Sequence, residues 1–301
     1  MSHLSAVLLV LLAGTMWAAS GTAAQHFYTQ SAHIPIELTQ VRLFLSSALF
    51  FLLAYWSGSL RRGIRSLRRD PRLLVQLAIH GILGIMIVQF SYFMGIAEGD
   101  AAATTVIGYT SPAMMILYLA VRYRRLPSAA ETGTVVAAVA GVFLLVTGGD
   151  IGRLSVPMSC VIWSLISGVT FVFAMIYPVR LLRLFDRFFL LAVCMLIGGI
   201  SLLPVTQVIF DVGSFFTAET WLDLLIIIGL GTIVAFFAFN VGLRWLSPEE
   251  TAITATIEPV ASVIFAWIIF DTHFVMMQVV GIVLVIAAIL TPNLLRKWGY
   301  T

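Results

Sequence analysis

The sequence predicts an all-α membrane protein with ten transmembrane helices in two inverted five-helix repeats. Three observations predict it. The 301 residues are 60% hydrophobic and 10% charged. A soluble domain carries about 25% charge, so this chain has too few polar groups to face water all round. Ten apolar runs recur, close to the roughly 20 residues that cross a bilayer. The chain also repeats itself. Gly84, Phe90, Gly95, Thr104 and Pro112 return as Gly231, Phe237, Gly242, Thr251 and Pro259, at a constant offset of 147 residues and without a gap. Self-similarity over such a distance marks a repeat architecture.

The elements follow in order. Span one, 4–24, has Ala18 and Ala19 near a plausible cleavage site. It lacks the basic n-region of a signal peptide, and it is long for the apolar part of one. It also carries Trp17, which returns 146 residues later as Trp163 in span six, so its removal would delete a repeat element. Span two covers 34–56 and contains Arg42, and span three covers 73–96 after an arginine-rich loop. Span four, 102–122, is interrupted by Ser111-Pro112, and span five, 130–147, ends at the turn Gly148-Gly149-Asp150. The second half runs through 156–178, 188–210, 221–245, 250–270 and 274–292, with span nine interrupted by Glu258-Pro259. The two repeats are 1–150 and 151–301, and almost nothing is left for an extramembrane domain.

Charge sets the orientation. Of the 17 Lys and Arg residues, 15 fall on one side: six in the loop between spans two and three, and the rest after spans four, six, eight and ten. Only Arg153 lies on the other side. The positive-inside rule then puts both termini in the cytoplasm. Five is odd, so the halves insert with opposite orientation about a pseudo-twofold axis in the membrane plane. Folds of this kind bind substrate near the midplane, between the repeats. The basic residues sit between spans, where orientation explains them, and no nucleic-acid partner is expected. Cys160 and Cys194 both sit in apolar runs, so neither a disulfide nor a metal site is expected, and no motif calls for a cofactor. There is no phosphate loop, no HExxH and no nucleophile elbow.

Candidate functional residues are the polar and aromatic groups deep in the spans, where polarity is expensive. Glu258 lies eight residues into span nine, about 12 Å deep at 1.5 Å per residue. Thr251, Thr254, Glu258 and Ser262 share one helical face. Glu258 either binds a substrate ammonium or a proton, or is a carboxyl held by hydroxyl and backbone groups at a kink. Pro112 and Pro259 remove backbone donors and are candidate hinges. Arg42 either pairs with a carboxylate or serves structure through helix carbonyls or an outward-reaching stem. His80 forms a stripe with Gln76 and Gly84, as a proton carrier or as a packed, hydrogen-bonded ring. Trp17 and Trp163 either line a central hollow or pack the interface of the halves. Ser159, Trp163, Ser167 and Thr170 share a face of span six. Tyr92, Tyr109 and Asn240 are further candidates, and Asn240 stands where the first half has Phe93. Gly141, Ala287 and Ala288 suit close helix approach or a dimer surface.

The tract GLGTIVAFFAFNVGLRWLSPEETAITATIEPVASVIFAWIIF, the Trp near the start of each half, and Arg42 opening RLFLSSALFFLL resemble the EamA-type drug/metabolite transporter superfamily. The resemblance covers residues 5–145 and 157–291. One departure is Asp271-Thr272-His273, where the family often carries Gly-Glu after span nine. The resemblance implies export or exchange of small organic metabolites, amino acids among them, and the inverted halves imply a midplane cavity lined by spans one, three, four, six, eight and nine. Amino acids, aromatic ones in particular, are the expected substrates, in an inner membrane of bacterial type, with the carrier a monomer or homodimer. Two alternatives stand beside it: a proton-coupled multidrug exporter of the same fold, and an intramembrane lipid-modifying enzyme. The latter needs a cluster of acids, bases or metal ligands that the scattered Arg42, His80 and Glu258 do not form.

Overall fold

The computed structural model describes residues 2–150, 152–206, 208–242 and 244–297. The side chains of Ile209, Asn240, Pro248, Glu249, Ala252 and 291–297 fall outside that description. All regular structure among the described residues is helical. Eight helices are long and apolar enough to cross a membrane, and the shorter apolar helices Arg187–Ser201 and Met276–Leu290 accompany them.

Twelve helices are present among the described residues, besides the 3-10 segment Val208–Phe215. They are α1 (His3–Gln30), α2 (Pro35–Trp56) and the short α3 (Ser59–Arg69). Then come α4 (Arg72–Glu98), α5 (Ala101–Arg122), α6 (Ala129–Thr147) and α7 (Met158–Leu184). After α8 (Arg187–Ser201), α9 runs from Trp221–Leu224 through Leu225–Val234 into Ala235–Gly242. The last are α10 (Pro248–Ala255), α11 (Ile257–Phe270) and α12 (Met276–Lys297).

Four expected spans differ in extent or in where they break. The first runs six residues beyond its expected end, to Gln30. Span seven stops at Ser201 rather than at 210. Pro204 follows, and the residue ahead of a proline is pushed out of helical backbone, so the chain turns there. A short 3-10 segment, Val208–Phe215, fills the remainder. Span nine is two helices, broken at Thr256 (ψ −6°). The break falls three residues ahead of Pro259, because the turn before a proline cannot complete its hydrogen bonds. Span four breaks in the same way at Tyr109 and Thr110, ahead of Pro112.

Packing pairs the halves. α1 lies against α9, α10 and α11, while α7 lies against α4 and α5. α2 packs on α8 and α6 on α12. Both α4 and α9 carry π-helical turns, at His80–Met86 and Leu225–Val234. A π-bulge inserts a residue into the helical ladder and often marks a functional position. Phe50 and Phe189 anchor one core where α2, α4 and α8 meet. Phe27, Phe93 and Phe215 anchor a second beneath the Val208–Phe215 segment. Small residues allow the closest crossing. A Cβ on Gly141 would lie 2.7 Å from the Gly281 carbonyl oxygen, so α6 and α12 meet backbone to backbone. Gly141 thus packs within the chain, as does Ala288, which is buried with Ala113 and Ala138.

Candidate functional site

The break at Thr256 puts Glu258 in the first turn of α11, where free backbone N–H groups favour a negative charge. The Tyr109 hydroxyl, at the matching break in α5, donates to the Glu258 carboxylate at 2.7 Å and also reaches the Ala255 carbonyl at 3.2 Å. The two proline-related breaks therefore meet through one hydrogen bond. α1 closes over them at Gly14, where a Cβ would crowd the Ile257 side chain and come within 3.4 Å of the Glu258 backbone nitrogen. Among the described residues no Lys, Arg or His nitrogen lies within 4.0 Å of the Glu258 carboxylate. The hydroxyls of Ser262, one turn further along α11, and of Thr251, before the break in α10, are buried without a hydrogen-bond partner. Buried polar atoms are normally satisfied by protein or by ordered water. The segment therefore carries a carboxylate and two hydroxyls with hydrogen-bonding capacity left over.

One turn along α1, Trp17 stands against α9, with ring centroids 5.6 Å from Phe236 at 77° and 5.1 Å from Phe239. Across the molecule, Trp163 stands 5.5 Å from Phe90 at 73°. Trp17 advances by 146 residues to give Trp163, while the 147-residue register sets Phe90 opposite Phe237, next to Phe236, so the two edge-to-face pairs are similar contacts one residue apart in register. Both indoles are half-buried, neither sealed in a core nor turned fully outward.

Further along α1, the Tyr92 hydroxyl meets the Thr105 hydroxyl at 2.9 Å and nestles against Gly21, where a Cβ would collide with it. Arg42 donates from Nε to the Thr232 hydroxyl at 3.3 Å, and its guanidinium carbon sits 5.3 Å from the Phe93 ring centroid. Among the described residues no carboxylate lies within 4.0 Å of it. The protein thus holds this cation with a hydroxyl and an aromatic face, not with an acid of its own. The Tyr28 hydroxyl is buried nearby, in the aromatic core beneath Phe215, without a hydrogen-bond partner.

The remaining candidates stand apart. His80 is buried at the head of the α4 π-turn, stacked 6.2 Å from Tyr177, with Nδ1 lacking a partner. Ser167 donates to the Val88 carbonyl at 3.2 Å and so ties α7 to α4. Thr170 bonds within its own helix at 2.8 Å, and Gln25 caps α5 by accepting from the Ala101 N–H at 2.8 Å. Asn240 lies in Ala235–Gly242, and its side chain is outside the described residues. A cleft of about 330 Å³ runs along Ile162, Leu165, Ile166, Val169 and Thr170. These residues form a single ridge of α7 with Ile162 and Val169 exposed, so the cleft belongs to the lipid-facing surface.

Sequence reasoning missed Thr105, Thr232, Phe236 and Phe239. The repeat register points to Phe237, one residue from Phe236, and carried no signal for the others.

Eight long apolar helices and two shorter ones define a multi-pass membrane protein. The EamA-like transporter family matches the chain twice, over residues 4–147 and 158–293, and the chain belongs to that family. It is 24% identical over 287 residues to the inner membrane transporter YicL of Salmonella typhimurium, itself uncharacterized, covering 95% of this chain and 94% of that protein. It also shares its fold with a protein solved by crystallography, at a TM-score of 0.63 and 18% identity over 100% of both chains.

Proposed function

We propose that this chain is a ten-span carrier, two inverted five-span repeats at 1–150 and 151–301, that exports or exchanges amino acids by alternating access, aromatic ones among them. Its seat is the inner membrane, with both termini cytoplasmic. The observation that carries the reading is the lone carboxylate of Glu258, held by Tyr109 where two broken helices meet beneath α1. An acid so placed suits an ammonium group, and half-buried indoles on either side of the seam suit a flat side chain.

Several observations support the inverted arrangement. The helix contacts exchange when the halves are exchanged, α1 on α9 for α7 on α4 and α1 on α11 for α7 on α5. The edge-to-face pairs, π-turns and proline-related breaks recur likewise. The family match is itself double. Breaks at Pro112 and Pro259 would serve as hinges when one half rocks against the other, and such discontinuous helices typify carrier sites. Trp17, Tyr92, Tyr109, Trp163 and Glu258 would line the path, with His80, Ser167 and Asn240 as the outer candidates. Arg42 would present its cation toward a substrate carboxylate.

Counterflow in proteoliposomes loaded with a panel of amino acids, with and without a pH gradient, tests this reading. Exchange of aromatic amino acids that is lost in Glu258→Gln is the expected result; no exchange of any amino acid overturns it. The unpaired acid equally fits a proton-coupled multidrug exporter. That reading requires resistance to cationic dyes in expressing cells, with no amino-acid counterflow.

A further inference from the structure

We propose that α3 is an interfacial helix that binds the phosphate headgroups of anionic phospholipids. It spans Ser59–Arg69 between α2 and α4, and five of its 11 residues are arginine. Because α2 and α4 both cross the membrane, the helix joining them lies at a membrane surface whatever the orientation of the chain. Gly58, in the left-handed region at φ 67°, breaks the chain away from α2.

The pattern on α3 is segregated. At about 100° per residue, Leu60, Gly63, Ile64 and Leu67 fall within an arc of about 100°, and all five arginines fall within about 120° opposite it. Gly63 sits against the Phe189 ring, where a Cβ would come within 2.5 Å, and Leu60 and Leu67 pack on the same core. The apolar face is thereby fixed to α8 and the basic face is held outward. Arg61, Arg62, Arg65, Arg68 and Arg69 are all exposed, as is Arg72 at the start of α4. Among the described residues none of them lies within 4.0 Å of a carboxylate. Tyr55 and Trp56, both exposed, immediately precede the helix and suit the headgroup level.

Orientation alone asks only for basic residues in the loop. It does not ask that they share one face of an anchored helix. A guanidinium fork matches a phosphodiester in shape and charge, and each basic residue of an amphipathic helix at the surface adds to its attraction for anionic lipid. The segment at the matching place in the second half, Val208–Phe215, carries Asp211 and no basic residue, so the device belongs to one membrane surface only.

The test is native mass spectrometry of the whole protein extracted from phosphatidylcholine vesicles with or without phosphatidylglycerol. Wild type should retain phosphatidylglycerol selectively. A variant combining Arg61→Gln, Arg65→Gln and Arg68→Gln should lose that retention on the order of tenfold or more. A control of equal charge loss, with Arg124→Gln, Arg180→Gln and Arg183→Gln, should keep it. Equal loss in both variants overturns the proposal in favour of general basicity. Displacement of the lipid by soluble glycerol phosphate overturns it in favour of a soluble anion. Should the α3 variant fail to fold, wild type still decides. Retention that does not fall between about 0.1 and 0.5 M salt would exclude headgroup binding, because exposed charges are screened over that range.

Discussion

Glu258 is stable where it stands only because its surroundings answer it: the Tyr109 hydroxyl at 2.7 Å and the first turn of α11. Removing the hydroxyl with Tyr109→Phe should cost about 0.6–1.7 kcal/mol, the range for interhelical hydrogen bonds in membranes. Thermal unfolding in detergent measures it. In a double-mutant cycle with Glu258→Gln the loss in the double variant should fall short of the sum of the two single losses, since both act on one bond. Full additivity would mean that the residues do not act as a pair. The two indoles give a second test at this scale. Trp17→Ala and Trp163→Ala each remove an edge-to-face pair, worth about 0.5–1.5 kcal/mol beyond buried area. Because Trp17 also faces Phe239 at 5.1 Å, its loss should exceed that at Trp163. An equal or larger loss at Trp163 would mean that the ring contacts do not set the difference.

At the scale of helices, the α6–α12 crossing depends on two glycines. Gly141→Val would force a side chain against the Gly281 backbone, and overpacking of this kind costs about 1–3 kcal/mol. Gly133, on the same helix, has open space within 4 Å, so Gly133→Ala should be neutral or slightly stabilising through helix propensity. The two melting temperatures relative to wild type check the contrast. The helix breaks were partly legible. Pro112 and Pro259 announced them, but the discontinuities fall at Tyr109 and Thr256. A proline disturbs the turn behind it, where its ring and its missing donor act. Span seven was over-read for a related reason: apolar residues continue past Pro204, so hydropathy did not register a stop that backbone sterics impose.

Across the whole molecule, orientation is the property most open to direct test. Cys160 and Cys194 are both buried, so the wild-type background should stay silent toward membrane-impermeant thiol reagents. Ser57→Cys, before α3, should be labelled only in inverted vesicles, and Ser214→Cys, before α9, only in intact cells. The reverse pattern would invert the topology, and labelling of both from one side would remove the inverted-repeat reading.

Hydropathy was enough to read the all-helical membrane class, because crossing a bilayer is a property that each segment carries in its own composition. The spatial partners were not legible. Nothing in the one-dimensional pattern says that Tyr109 meets Glu258, that Trp17 meets Phe236, or that Gly141 meets Gly281. In water an apolar stripe shows which face of a helix turns inward. In lipid the faces toward neighbours and toward acyl chains are equally apolar, so rotation and partner are decided by packing and hydrogen bonds that exist only once the helices have come together.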